Sequence, residues 1–175
     1  MQTTGSTRRD LRERTRDTLE RLDRERDIWL ATAHPGHGPH QVPLWFWWDG
    51  ESVWMCTGET SATARNARAE PRVRLALPDT FDVVVLRGEA ECFPAPDVPA
   101  EAADAFAGKF GWDPRAEDGP FLYIRVVPRT VLAWRGEPEL RGRVIVRDGE
   151  WLDRDRGGAW VDRDRDRERV DRDRG

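Results

Sequence analysis

The sequence predicts a mainly β fold, a small Greek-key barrel with helices filling its open sides. Three observations point there. Roughly six to eight short segments alternate apolar and polar residues or run fully apolar, the pattern of half-buried and buried strands. Gly-, Pro- and Asp-Gly-containing turns punctuate them at close intervals, as at 35–36, 49–50 and 148–149. The segments follow one another without regular crossover helices, which argues against a doubly wound parallel sheet.

Taken in order, residues 8–27 alternate acids and arginines while Leu11, Thr15, Leu19 and Leu22 recur at helical spacing. The spacing predicts an amphipathic helix with a narrow apolar stripe, packed on the barrel or on a partner. The i, i+4 pairs Asp10/Arg14, Asp17/Arg21 and Glu20/Arg24 would support it. A first strand is expected over 27–32. The Gly/Pro-rich run 34–39 is a turn, and 40–48 is a second strand ended by the hairpin signal Asp49-Gly50. Within it Leu44, Phe46 and Trp48 point one way, Trp45 and Trp47 the other. Large side chains on both faces imply burial on both, as when a barrel wall also makes a dimer interface, so a homodimer is expected. Residues 52–56 form the third strand.

Between Thr57 and Pro71 lies a short helix with legible ends. Thr60 or Ser61 caps its start, and Pro71 stops it by pushing the preceding residue out of the α region. Alanines at 62, 64, 67 and 69 let it sit close to a sheet, and Ser61, Arg65 and Arg68 share one face. A helix N-terminus offers unpaired N–H groups and a positive dipole end, which suit phosphate. The hydroxyls of Ser61 and Thr63 and the guanidinium of Arg65 strengthen that reading. An ordinary polar crossover helix would look the same.

Strands are expected next over 72–78 and 81–93, with Gly88 a bulge or bend. The segment from Pro94 to Asp97 breaks the sheet, and Asp97 is expected to cap a second helix from Val98 to about Phe110, with Ala102, Ala105 and Phe106 facing in. Lys109, the sole lysine, stands at the end of that helix, where it either reaches an anionic group or complements the helix dipole. Strands over 121–127 and 130–134 are separated by Pro128. Residues 140–146 and Trp151 make a closing hairpin around Asp148-Gly149.

The chain thus divides into a charged N-terminal helix (1–27), a folded domain (28–152) and an Asp/Arg repeat (153–175) in which arginines and acids balance. The repeat has too few apolar residues to offset its ordering entropy, so disorder is expected there. Hydrophobic content is 38% and charged content 35%, both skewed by the two ends. A net charge of −4 leaves no basic footprint for nucleic acid. No apolar run is long enough to span a membrane, and the charged N-terminus lacks a signal-peptide core, so a cytoplasmic protein is expected. Cys56 and Cys92 fall within strands without metal spacing and read as free buried thiols. His34, His37 and His40 are spaced three apart. A Gly/Pro turn gives them no fixed ligand geometry and no acid or cysteine joins them, so no metal site is expected. No G-x-S-x-G, G-x-G-x-x-G or C-x-x-C motif occurs.

The run Ser61-Ala-Thr-Ala-Arg-Asn-Ala-Arg-Ala-Glu-Pro-Arg-Val73, preceded by Val42-Pro-Leu-Trp-Phe-Trp-Trp-Asp-Gly50 and a strand, resembles the flavin-binding split-barrel family. That family includes the pyridoxamine phosphate oxidase-like proteins and the reductases that use the deazaflavin coenzyme F420. The resemblance runs from about Asp27 to about Trp151. It implies an FMN-binding split β-barrel, mainly β with flanking helices and homodimeric, and an oxidoreductase whose hard chemistry lies in its cofactor. It also implies that Ser61, Thr63, Arg65 and Asn66 hold the cofactor phosphate, and that Pro43, Leu44 and Trp45 lie against the ring. Lys109 is a further candidate for an anionic group of the cofactor. Many relatives carry a lysine where this chain has Thr63, so Arg65 becomes the cation available for bidentate phosphate binding. The segment Trp134-Arg-Gly-Glu137 and the Arg65-Asn-x-Arg-x-Glu-Pro71 corner look more like the deazaflavin branch. Coenzyme F420 is therefore expected, with FMN the alternative, and the implied activity is reduction of an unsaturated or quinone-like small molecule. The C-terminal substrate motif of true pyridoxamine phosphate oxidases is missing. The alternative of another class is a non-catalytic protein that stores or shields a flavin, F420 or haem.

Overall fold

In the computed structural model, which describes residues 8–153, strands β1 (Asp27–His34), β2 (Gly38–Trp48), β3 (Val53–Gly58), β4 (Arg72–Ala76), β5 (Asp82–Pro94) and β6 (Phe121–Arg135) close into an antiparallel barrel. Their order is β3-β2-β1-β4-β5-β6, with β6 pairing back onto β3. The first four strands therefore stand in the order of a Greek key, β4 returning beside β1. Strands β7 (Val144–Arg147) and β8 (Glu150–Trp151) extend the sheet beyond β6 around the two-residue turn Asp148-Gly149, both at positive φ, as the sequence predicts. The Asp/Arg repeat after Asp153 lies outside the described residues.

Alternation along the strands builds two cores. Ile28, Leu30, Phe46, Val53, Met55, Leu75, Leu86, Leu122 and Ile124 point inward and are fully shielded from solvent or nearly so. Trp54, Cys56 and Tyr123 leave the same wall on its outer side, where α3 (Ala100–Phe110) covers them with Ala102, Ala103 and Phe106. The wall made by β3 and β6 is thus packed on both sides. Strand β2 pairs with β1 over Gly38–Trp45 and with β3 only over Phe46–Trp48, so among the described residues 38–45 have no strand partner on the β3 side.

Helix α1 (Leu11–Arg24) begins with a capping box. The Asp10 carboxylate accepts from the Glu13 N–H at 2.8 Å, and the Glu13 carboxylate accepts from the Asp10 N–H at 2.9 Å. Thr15 and Leu22 are buried, with Leu11 and Leu19 against the core, so the apolar stripe faces the barrel. The charges do not pair along the helix as expected. Asp10 is taken by the cap, and Arg14 reaches the carbonyls of Asp10 and Gly142. Arg21 pairs with Glu25, and Asp17 receives Arg9 and Arg16.

Three other expectations need correction. Asp97 does not cap α3. It ends a 3-10 turn over Ala95–Asp97, and α3 starts after Pro99, because Pro99 holds Val98 in an extended conformation. Ala103 rather than Ala105 is a buried contact of that helix. Pro128 does not divide two strands, because β6 runs unbroken past it. The ladder with β5 shifts register between Arg87 and Gly88, and Pro128 sits opposite Gly88 at that bulge, where its missing N–H is tolerated.

Candidate cofactor site

Helix α2 (Ala62–Ala69) crosses from β3 to β4 and buries Ala64 and Ala67 against the barrel core. Ser61 is its N-cap, accepting from the Ala64 N–H at 3.0 Å and from the Thr57 hydroxyl at 3.2 Å. Thr63 is buried, and its hydroxyl lies 3.2 Å from Nε2 of His40. Asn66 is also buried and donates to the Thr32 hydroxyl at 3.2 Å. Arg65 is exposed, its guanidinium donating to the Thr60 carbonyl. Arg65 and Asn66 line a cavity of about 330 Å³ together with His34, His37 and His40 from the β1–β2 hairpin. Among the described residues no carboxylate lines it.

The hairpin histidines are thus a part of this corner that sequence reasoning did not assign to it. Their spacing was legible. Their relation to α2 depends on the crossover that drops the helix over the hairpin, which has no local signature. Among the described residues no three His, Cys, Asp or Glu side chains are gathered so as to hold a metal ion.

Pro43, Leu44 and Trp45 line a second cavity, of about 650 Å³, between β2 and α3. Its walls are aromatic. The Trp45 ring stacks on Phe110 at 5.0 Å between centroids and 4° between planes, and meets the edge of Trp112 at 6.3 Å. The Arg26 guanidinium sits 5.6 Å above Trp45 and 4.9 Å above Phe110. Cys56 reaches the same space from β3, with its thiol pKa pushed up to about 12 by burial, so it is neutral and a poor nucleophile. Trp45 is 43% exposed, so this chain alone leaves its outer face uncovered. Volume and apolar lining suit a planar ring compound.

Lys109 lines neither cavity. Its ammonium donates to the carbonyls of Asp23 at 3.2 Å and Glu25 at 2.7 Å, closing the C-terminal end of α1, and stands 4.9 Å above the Phe46 ring. Burial lowers its pKa.

The structure brings Arg65 and Asn66 into one cavity with the hairpin histidines and sets Thr63 against His40, but leaves Ser61 at the N-cap outside that lining; Pro43, Leu44 and Trp45 face α3 across the second cavity, and the two cavities share no lining residue. Strand β2 connects them. His40 precedes Pro43 and Trp45 by three and five positions, roughly 10–17 Å along a strand. A ring carried on an extended, phosphate-bearing arm matches such a separation.

The pyridoxamine 5'-phosphate oxidase family model matches residues 14–135. No curated protein matches the chain. Solved structures share the fold. A protein of the pyridoxinephosphate oxidase family from Clostridium acetobutylicum superposes with a TM-score of 0.58 at 13% identity, over 73% of this chain and 92% of that one. An F420 reductase gives 0.54 at 24%, over 64% and 93%. A FAD-binding protein from Mesorhizobium loti gives 0.53 at 20%, over 67% and 89%.

Proposed function

This chain belongs to the pyridoxamine 5'-phosphate oxidase family, and on that premise we propose that it is a flavin- or deazaflavin-dependent oxidoreductase, with coenzyme F420 as its preferred cofactor. The observation that carries this reading is the placement, along strand β2, of a cationic pocket that no carboxylate among the described residues lines and an aromatic cavity of ring-compound size. Likeness in fold to an F420 reductase and to a FAD-binding protein supports it. Arg65 and Asn66, which line the pocket, would hold the phosphate, with Thr63 positioning His40 behind them. Ser61 acts through the cap that fixes the start of the helix. Pro43, Leu44 and Trp45 would meet the ring. Such a group supplies, when bound, two-electron reduction of an unsaturated or quinone-like small molecule. The chain's own residues bind and orient it. Cys56 stays neutral, and Phe106 and Phe110 of α3 would shield one side of the ring.

Arg65 is exposed and among the described residues donates to the Thr60 carbonyl alone, so its removal leaves the core intact. Arg65→Ala is expected to weaken F420 or FMN binding on the order of 10- to 100-fold at low salt, the size of one lost charge-assisted contact. Arg65→Lys recovers part of it, having lost the bidentate fork. Fluorescence titration of both cofactors into wild type and variants measures this. Tight wild-type binding that Arg65→Ala leaves unchanged would remove Arg65 from the site.

A further inference from the structure

We propose that the phosphate pocket is gated by pH, its titratable charge supplied by the hairpin histidines; this rests on reading the pocket as an anion site. Among the described residues Arg65 is the one permanently charged group lining it. Facing Arg65 are His34, His37 and His40, and imidazoles change charge between about pH 5 and 8. Among the described residues no acid lines the pocket. The acids flanking α2 are engaged elsewhere, Glu59 with Arg68 at 2.5 Å and Glu70 with Arg72 at 2.8 Å. His40 has a neutral partner, the Thr63 hydroxyl, which orients the ring without fixing its charge. His34 Nδ1 accepts from the Gly36 N–H at 3.0 Å, which requires that nitrogen unprotonated, and its ring stacks on His37 at 4.7 Å between centroids. The imidazoles of His40 and of the stacked pair are the side chains placed to meet an oxyanion beside Arg65. An oxyanion favours their charged form, so affinity rises as pH falls through the imidazole range and declines above it. The site takes a phosphate or like oxyanion strongly in mildly acidic solution and weakly in alkaline solution.

Inorganic sulfate, whose charge is constant over this range, is the probe. Titrated into the full chain and followed by the histidine ring C–H resonances, it is expected to bind on the order of 10-fold more tightly near pH 5.5 than near pH 8. His40→Gln keeps a polar partner for Thr63 without the charge, and most of that difference disappears. Should that variant unfold, His37→Gln at the exposed turn reports the same effect in smaller measure. Sulfate affinity independent of pH, or no sulfate binding at either pH, overturns the gate. If FMN or F420 nevertheless binds through Arg65, the cofactor reading stands without it. Gated sulfate binding with no binding of either cofactor keeps the gate and overturns the cofactor reading.

Discussion

A methyl group at Gly88 would stand 2.5 Å from the Val127 carbonyl oxygen and 2.8 Å from a Val126 methyl, so the β5–β6 backbones would have to part. Gly88→Ala is expected to destabilise by about 1–3 kcal/mol, read as a drop of several degrees in thermal melting. Unchanged melting would mean that the bulge yields. At this scale the sequence is legible where one residue carries its own reason. Gly88 inside an apolar strand signals a bulge, and Ser61 before a run of alanines signals a cap. It is misleading where the reason lies in a neighbour. Pro128 reads as a breaker until its partner turns out to be the bulge, and Asp97 reads as a cap until Pro99 moves the helix start. The partner of His40 could not be read, because Thr63 meets it only through the crossover.

Among elements, α1 is tied to the barrel by buried charge as well as by its stripe. The Glu139 carboxylate, 2% exposed, accepts from the Arg9 backbone at 2.9 Å, from its guanidinium at 3.1 and 2.9 Å, and from the Arg135 N–H at 2.6 Å. Burial raises the Glu139 carboxyl pKa, but these hydrogen bonds outweigh it and hold it below the ordinary value. Asp17 behaves alike, its burial outweighed by Arg9 and Arg16. A depressed folded-state pKa contributes stability that is present above the unfolded carboxylate range, about pH 4, and is lost as pH falls through the folded values. Melting temperature is therefore expected to drop in acid. Glu139→Gln should cost on the order of 2–3 kcal/mol at neutral pH and flatten that acid slope. A slope unaltered in the variant would place the acid-labile groups elsewhere. The amphipathic spacing of α1 was legible, whereas Glu139, distant in sequence and in a 3-10 turn, carries no local signal of its role.

For the whole molecule, alternation and turn signals specify a barrel, and the aromatic run of β2 specifies a face in need of cover. The structure divides that cover unevenly. Helix α3 takes the β3–β6 wall, while Trp29 and Trp45, paired with Pro43 and Asp27 across β1 and β2, remain 40% and 43% exposed. We propose that a second copy rests on this face, and sedimentation at low micromolar concentration should then give twice the chain mass. A monomer with no concentration dependence refutes it. How such copies meet follows from the stretch of β2 that lacks a strand partner beside β3. That open edge carries Pro39 and Pro43, whose nitrogens have no hydrogen to donate, and begins at Gly38 with φ 76°. A foreign strand trying to extend the sheet there finds donors missing, so growth by strand addition, the route to fibrils, is discouraged. Copies of this chain are left to associate through their side chains.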